Sequence, residues 1–131
     1  MDYNQDEVKQ LAKRSQKETL ENNFLSHWVL MFGNLPEPVR QYAVRNPHTG
    51  RDWKLDFCWA SELLAVEIQG GSFIKGGHNT ATGQAQDYIR HNTLTRMGWR
   101  TLFYNTIQCK HMADVVTEVA EVLCQAREIE A

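Results

Sequence analysis

Cysteine is scarce in this chain and forms no pattern. Cys58, Cys109 and Cys124 are an odd set without a C-x-x-C pair. Such a set argues against a disulfide framework and for free thiols in a reducing cytoplasm. Cys109-Lys110-His111 offers at most half of a zinc site, and no second pair completes it. Long apolar runs are missing too. Nothing approaches the ~20 residues that a membrane-spanning helix requires, so no membrane partner is expected. The start, MDYNQDEVKQ, is polar and acidic, so no secretory signal is expected. Repeats and low-complexity segments are absent. So is an excess of basic charge. Fourteen Lys and Arg face 16 Asp and Glu, a net charge of −2. That balance excludes a protein that coats nucleic acid through bulk charge.

What the chain does have is unevenly placed. Residues 1–39 carry a net charge of −2, residues 40–110 a net +4 and residues 111–131 a net −4. A local basic face in the middle segment is what phosphate contact requires. With 131 residues, 42% of them hydrophobic, the chain is expected to fold as one domain around a single core. Residues 1–17 are polar and read as a loosely packed helical extension of it.

The most informative stretch is Arg51 to Gly71, RDWKLDFCWASELLAVEIQGG. Trp53 to Trp59 alternates, with Trp53, Leu55 and Phe57 on one face and Lys54, Asp56 and Cys58 on the other. Leu63 to Gln69 does the same, with Leu64, Val66 and Ile68 against Ala65, Glu67 and Gln69. Period-2 patterning rich in β-branched and aromatic residues is the strand signal. A turn centred between Ser61 and Glu62 would set Asp56 opposite Glu67. Opposed side chains of an antiparallel pair share a face at roughly 4.5–5.5 Å between Cβ atoms, where like charges repel. A divalent cation reverses that cost, and oxygen ligands of this kind suit Mg²⁺ or Mn²⁺.

Around this hairpin the other elements fall into place. Asp6 to Phe32 has helical spacing, with Leu20, Phe24, Leu25, Trp28 and Phe32 on one apolar stripe. Gly33, Pro36 and Pro38 end it. Glu21 stands one position after Leu20 and by periodicity reads as a surface glutamate. Gln41 to Asn46 reads as a short strand, followed by the turn chemistry of Asn46 to Gly50. Gly70 to Thr82 is a long loop carrying Lys75, His78 and Asn79, and long loops in compact domains are usually functional or disordered. A helix is expected from Thr82 or Gly83 to about Met97. On it Asp87 and Arg90 stand one turn apart. They read either as an ion pair or as a device placing Arg90 against a phosphate. Trp99 to Tyr104 reads as a buried central strand. A last helix to Arg127 carries the stripe Met112, Val115, Val116, Val119, Val122, Leu123 and Ala126. The order αβββαβα predicts an α/β fold whose mixed central sheet is flanked by helices, with a parallel crossover through the penultimate helix.

These motifs resemble the PD-(D/E)XK nuclease superfamily. Leu55-Asp56-Phe57 followed by Leu64-Ala65-Val66-Glu67-Ile68-Gln69-Gly70-Gly71 is similar to a small phage and bacterial branch near the very-short-patch-repair endonucleases. Asp56-Phe57-Cys58-Trp59, Gly77-His78, then Gly83, Asp87, Arg90 and Asn92, and finally Gly98-Trp99-Arg100-Thr101-Leu102-Phe103 follow in that branch's order. The resemblance covers about Glu18 to Leu123. It departs from the pattern at Gln69, where the superfamily has lysine, and at Arg90, where the branch has lysine.

The resemblance implies a restriction-endonuclease-like core and an Mg²⁺- or Mn²⁺-dependent DNA endonuclease, associated with phage or a mobile element. It implies that Asp56, Glu67 and the Ile68 carbonyl hold the metal, that Glu21 on the first helix reaches the metal site, and that Gln69 positions water or a phosphate oxygen. Arg45, Lys54, Lys75, His78, Asn79 and Arg90 are the candidate DNA contacts. Two alternatives go with Gln69 and with symmetry. One is a catalytically weak DNA-binding or regulatory module on the same fold. The other is a homodimeric junction-resolving nuclease.

Overall fold

The computed structural model describes residues 4–69 and 81–130. The elements are helix α1 (Gln5–Phe32), strands β1 (Val39–Arg45), β2 (Asp52–Trp59) and β3 (Leu64–Gln69), helix α2 (Ala81–Arg96), strand β4 (Arg100–Asn105) and helix α3 (Met112–Glu130). A 3₁₀ turn, Ala60–Glu62, joins β2 to β3, and another, Gln108–His111, leads into α3. The four strands form one mixed sheet in the order β1-β2-β3-β4. β1, β2 and β3 are antiparallel neighbours, and β3 and β4 are parallel. Among the described residues no helix is long and apolar enough to cross a membrane. Cys58, Cys109 and Cys124 are free thiols.

Helix α1 starts at Asn4, whose side chain accepts the Asp6 N–H, an N-cap that satisfies one of the helix's open donors. It then runs unbroken to Phe32, so the polar N-terminal part is continuous with the packed part. Residues 5–16 are exposed. Glu21, Phe24 and Trp28 are the buried residues. After Gly33 the chain folds back, and the Pro36 carbonyl accepts the indole N–H groups of both Trp28 (3.2 Å) and Trp59 (2.8 Å). That shared acceptor fixes the lower end of α1 against β2.

The sheet separates two apolar clusters. Phe24, Trp28, Phe57, Trp59, Leu64, Val66, Ile68 and the α3 stripe form the larger one, so α1 and α3 cover this face. Val44, Leu55, Cys58, Ala65, Leu94 and Trp99 form the smaller one, under α2. Leu55 therefore lies with Cys58 and not with Phe57, contrary to strict alternation. The cause is local. Gln41, on the neighbouring strand, has a left-handed backbone with φ 52, rare and costly for a residue with a Cβ. The pairs on either side, Arg40 with Phe57 and Tyr42 with Leu55, keep one register. The twist is thus absorbed without an extra residue, and it falls opposite Asp56.

Among the described residues strand β4 is an edge strand, not a central one. It pairs with β3 on one side, and Phe103 is 44% exposed. An unbroken run of apolar and aromatic residues suits a strand buried on both faces, but here one face is only partly covered by α2.

Helix α2 ends in a Schellman motif. The Trp99 N–H bonds the Leu94 carbonyl (2.9 Å) and the Gly98 N–H bonds the Thr95 carbonyl (3.0 Å). Gly98 has φ 93, and a Cβ there would sit 3.2 Å from Leu63 Cδ1. Gly98→Ala is expected to destabilise the protein by about 1–2 kcal/mol, the cost of a left-handed non-glycine residue. Urea unfolding at constant m-value measures it.

Candidate active site

Among the described residues three acidic side chains are buried: Glu21, Asp56 and Glu67, at 4%, 3% and 5% exposure. Acids are almost never this buried without partners, so the partners define the site. Glu21 belongs to the buried stripe of α1, at the spacing Glu21, Phe24, Trp28. It is therefore no surface residue, and Gln41 Nε2 donates to its Oε1 at 3.2 Å. The left-handed backbone at Gln41 thus coincides with a side chain that holds a glutamate in the site. Sparsely populated backbone conformations concentrate at such places.

Asp56 and Glu67 arrive through strand register. Phe57 pairs with Val66, Cys58 with Ala65 and Trp59 with Leu64, and the same register continued places Asp56 opposite Glu67. Past Val66 the Asp56 carboxylate takes over from the ladder, with Oδ2 accepting the Ile68 N–H at 2.8 Å. Its Oδ1 lies 3.1 Å from Lys17 Nζ on α1. Glu67 Oε1 lies 2.5 Å from Arg90 Nη2 on α2, and the same nitrogen donates to the Lys54 carbonyl at 3.3 Å. Arg90 thus reaches across to the hairpin. The Asp56 charge also bears on both glutamates.

The electrostatics follow. Burial, then the Asp56 charge, push the Glu67 carboxyl up to about 8, against the pull of Arg90 and Lys17. Burial and Asp56 raise Glu21 likewise, opposed by Lys17 and Arg40. Desolvation and like charge outweigh the ion pairs. Three carboxylates meet two directly bonded cations, and the shortfall has to be met by protons or by another cation.

Among the described residues no three His, Cys, Asp or Glu side chains converge closely enough to hold an ion by themselves. Asp56 and Glu67 are nevertheless hard oxygen donors. Mg²⁺ takes one or two carboxylates and keeps several waters, so the pair fits such an ion without a third acidic ligand.

Comparison of the chain with protein-family models, curated proteins and solved structures finds no match.

The other expected site residues divide. Gln69 is half-buried and shares a cavity of about 310 Å³ with Glu67, Arg90 and Leu94. Lys54 lends its backbone carbonyl to Arg90, while its side chain is exposed. Arg45 is exposed at the far end of β1, paired with Asp52. Asp52 and Asp56 are four steps apart along the strand, roughly 13 Å at about 3.3 Å per step, so Arg45 stands apart from the carboxylates. Lys75, His78 and Asn79 lie outside the described residues.

Lys17, Gln41 and Arg40 were not singled out by the sequence. With Arg14, Glu18, Glu21 and Asn22 they line a second cleft, of about 500 Å³. Arg40 also lies over the Phe57 ring, 5.5 Å from its centroid. Lys17 carried one readable signal, since it stands one helical turn before Glu21.

The raised Glu67 carboxyl fixes the sign of a pH effect. Its pKa rises from 4.5 toward 8 on folding, so the folded state binds the extra proton. The associated stability is complete below about pH 4.5 and is lost as pH climbs through 8. In EDTA the protein is expected to lose up to about 1.4 kcal/mol per pH unit from this group between pH 5 and 8. Glu67→Gln should flatten that dependence in urea unfolding series.

Proposed function

We propose that this chain is a metal-dependent deoxyribonuclease, an endonuclease that hydrolyses DNA phosphodiesters with Mg²⁺ or Mn²⁺. The observation that carries the reading is the burial of Asp56 against Glu67, with Glu21 brought in from α1. Soluble proteins do not keep opposed buried acids for stability. The order of elements and the mixed sheet support placing the fold with restriction-endonuclease-like cores.

Asp56, Glu67 and the Ile68 carbonyl would hold the ion. When bound, it would polarise the scissile phosphate and lower the pKa of the attacking water. The rest is the work of the chain's own groups. Glu67 must give up its proton to serve as a ligand, and burial makes that step sensitive to pH. Lys17 occupies one oxygen of Asp56 through a partly exposed side chain, so it can turn from the carboxylate toward a phosphate oxygen. Arg90, bonded to Glu67, supplies positive charge that an amide at position 69 cannot. Gln69 offers a donor and an acceptor on the same face as Glu67 and can orient a water by hydrogen bonding. Glu21, steadied by Gln41, stands behind Asp56 and would reach the ion through water.

Gln69 also favours a second reading, a DNA-binding module on the same fold that lacks efficient chemistry. Incubation with linear, nicked, flapped and four-way DNA in Mg²⁺, Mn²⁺ or EDTA separates the two. Cleavage is expected with the metals and not with EDTA. Asp56→Asn should lower single-turnover cleavage by roughly 10²-fold or more, the scale of losing one electrostatic element of a site, while leaving the fold intact. Metal-independent DNA binding, with no product from any substrate, favours the binding module.

A further inference from the structure

The cavity beside Glu67 has a second character. Phe103 is the parallel partner of Glu67 in the sheet, so register puts an aromatic ring on the same face as that carboxylate. The His91 ring of α2 stands 5.3 Å from the Phe103 ring, tilted by 49°. Tyr88, one turn earlier on α2, lines the same space and is 64% exposed. Leu94, Gln69, Glu67, Asp87 and Arg90 complete its lining. Single exposed aromatics need no explanation. Here three rings converge on one cavity of about 310 Å³, the low end of the roughly 300–1,000 Å³ of small-molecule sites.

We infer that this cavity between α2 and β4 receives one unpaired nucleobase of the DNA, stacked on Tyr88 and Phe103, beside the scissile phosphate that the proposed hydrolysis places near Glu67 and Arg90. The inference rests on the hydrolysis reading for the position of that phosphate. Flat aromatic walls suit a base of any sequence, because every base presents a π-face. The Gln69 amide can meet a base edge with a donor and an acceptor. A base paired within a duplex cannot enter without leaving the stack, which costs a few kcal/mol. The favoured substrate is therefore DNA with an unpaired nucleotide beside the scissile bond, such as a single strand, a flap or a frayed end.

Oligonucleotides carrying 2-aminopurine, single-stranded and as the matching duplex, test this in EDTA and again in Ca²⁺. The single strand is expected to bind at least tenfold more tightly, with its fluorescence quenched by stacking. Tyr88→Ala should weaken single-strand binding by roughly tenfold, which is about 1.4 kcal/mol. Duplex binding should change little, and Tyr88→Phe should bind like wild type. Phe103→Ala provides a second variant, on the strand rather than the helix. Equal affinity for both DNAs, a Tyr88→Ala protein that binds as wild type does, or no DNA binding at all each overturns the base pocket. Cleavage of the same oligonucleotides in Mn²⁺ is scored separately. Cleavage with Tyr88-independent binding removes the pocket and keeps hydrolysis. Tyr88-dependent binding without cleavage supports the pocket and removes hydrolysis.

Discussion

Everything near the site depends on how Asp56 is held. It is an acid buried between two other buried acids, and each of its oxygens has one strong partner, the Ile68 N–H and the Lys17 ammonium. Removing a partner from such a group leaves an uncompensated buried charge, worth several kcal/mol. The arrangement therefore ties α1, β2 and β3 together through charge as well as through the apolar contacts of Phe24, Trp28 and Phe57. Arg90 does the same for α2 through Glu67. Helix α2 has only Leu94 buried, so this ion pair and the Schellman turn at Gly98 carry much of what positions it.

The site sets buried charge against folding stability. A hydrophobic pair at the positions of Asp56 and Glu67 would satisfy the core better. The unfavourable backbone at Gln41 belongs to the same compromise, because it turns the strand pair where Asp56 must face α1 while its neighbours keep packing. Of the two non-glycine residues with a left-handed backbone among the described residues, Gln41 lies at the level of Asp56, and Leu63 closes the turn between β2 and β3.

Much of this was legible beforehand. Pairing of β2 with β3 follows from two period-2 runs and a short turn, and the observed pairs, Phe57 with Val66 through Trp59 with Leu64, have the register that the pattern requires. The helices followed from their stripes. Three things did not. Alternation assigns Leu55 to the face of Phe57 because it assumes a regular strand, and nothing local announces a left-handed glutamine on the neighbouring strand. Periodicity alone reads Glu21 as a surface residue because charge outweighs position, whereas the resemblance puts it at the site, and its spacing to Phe24 and Trp28 sets it on the buried stripe. Strand β4 was read as central because an apolar run does not say which side of a sheet lacks a neighbour. Lys17 belongs to a different class: where a long, flexible side chain ends depends on the assembled fold.

The central claim is that the buried carboxylates exchange a proton for a divalent cation. Calorimetric titration of the metal-free protein with Mn²⁺ at pH 7, in two buffers of different ionisation enthalpy, tests it most directly. Glu67 is pushed up to about 8 and so carries a proton at that pH. Mn²⁺ is predicted to bind with release of about one proton, because a ligating carboxylate must be deprotonated. Saturating Mn²⁺ that produces no binding heat in either buffer, or binding with no proton released, would contradict the account.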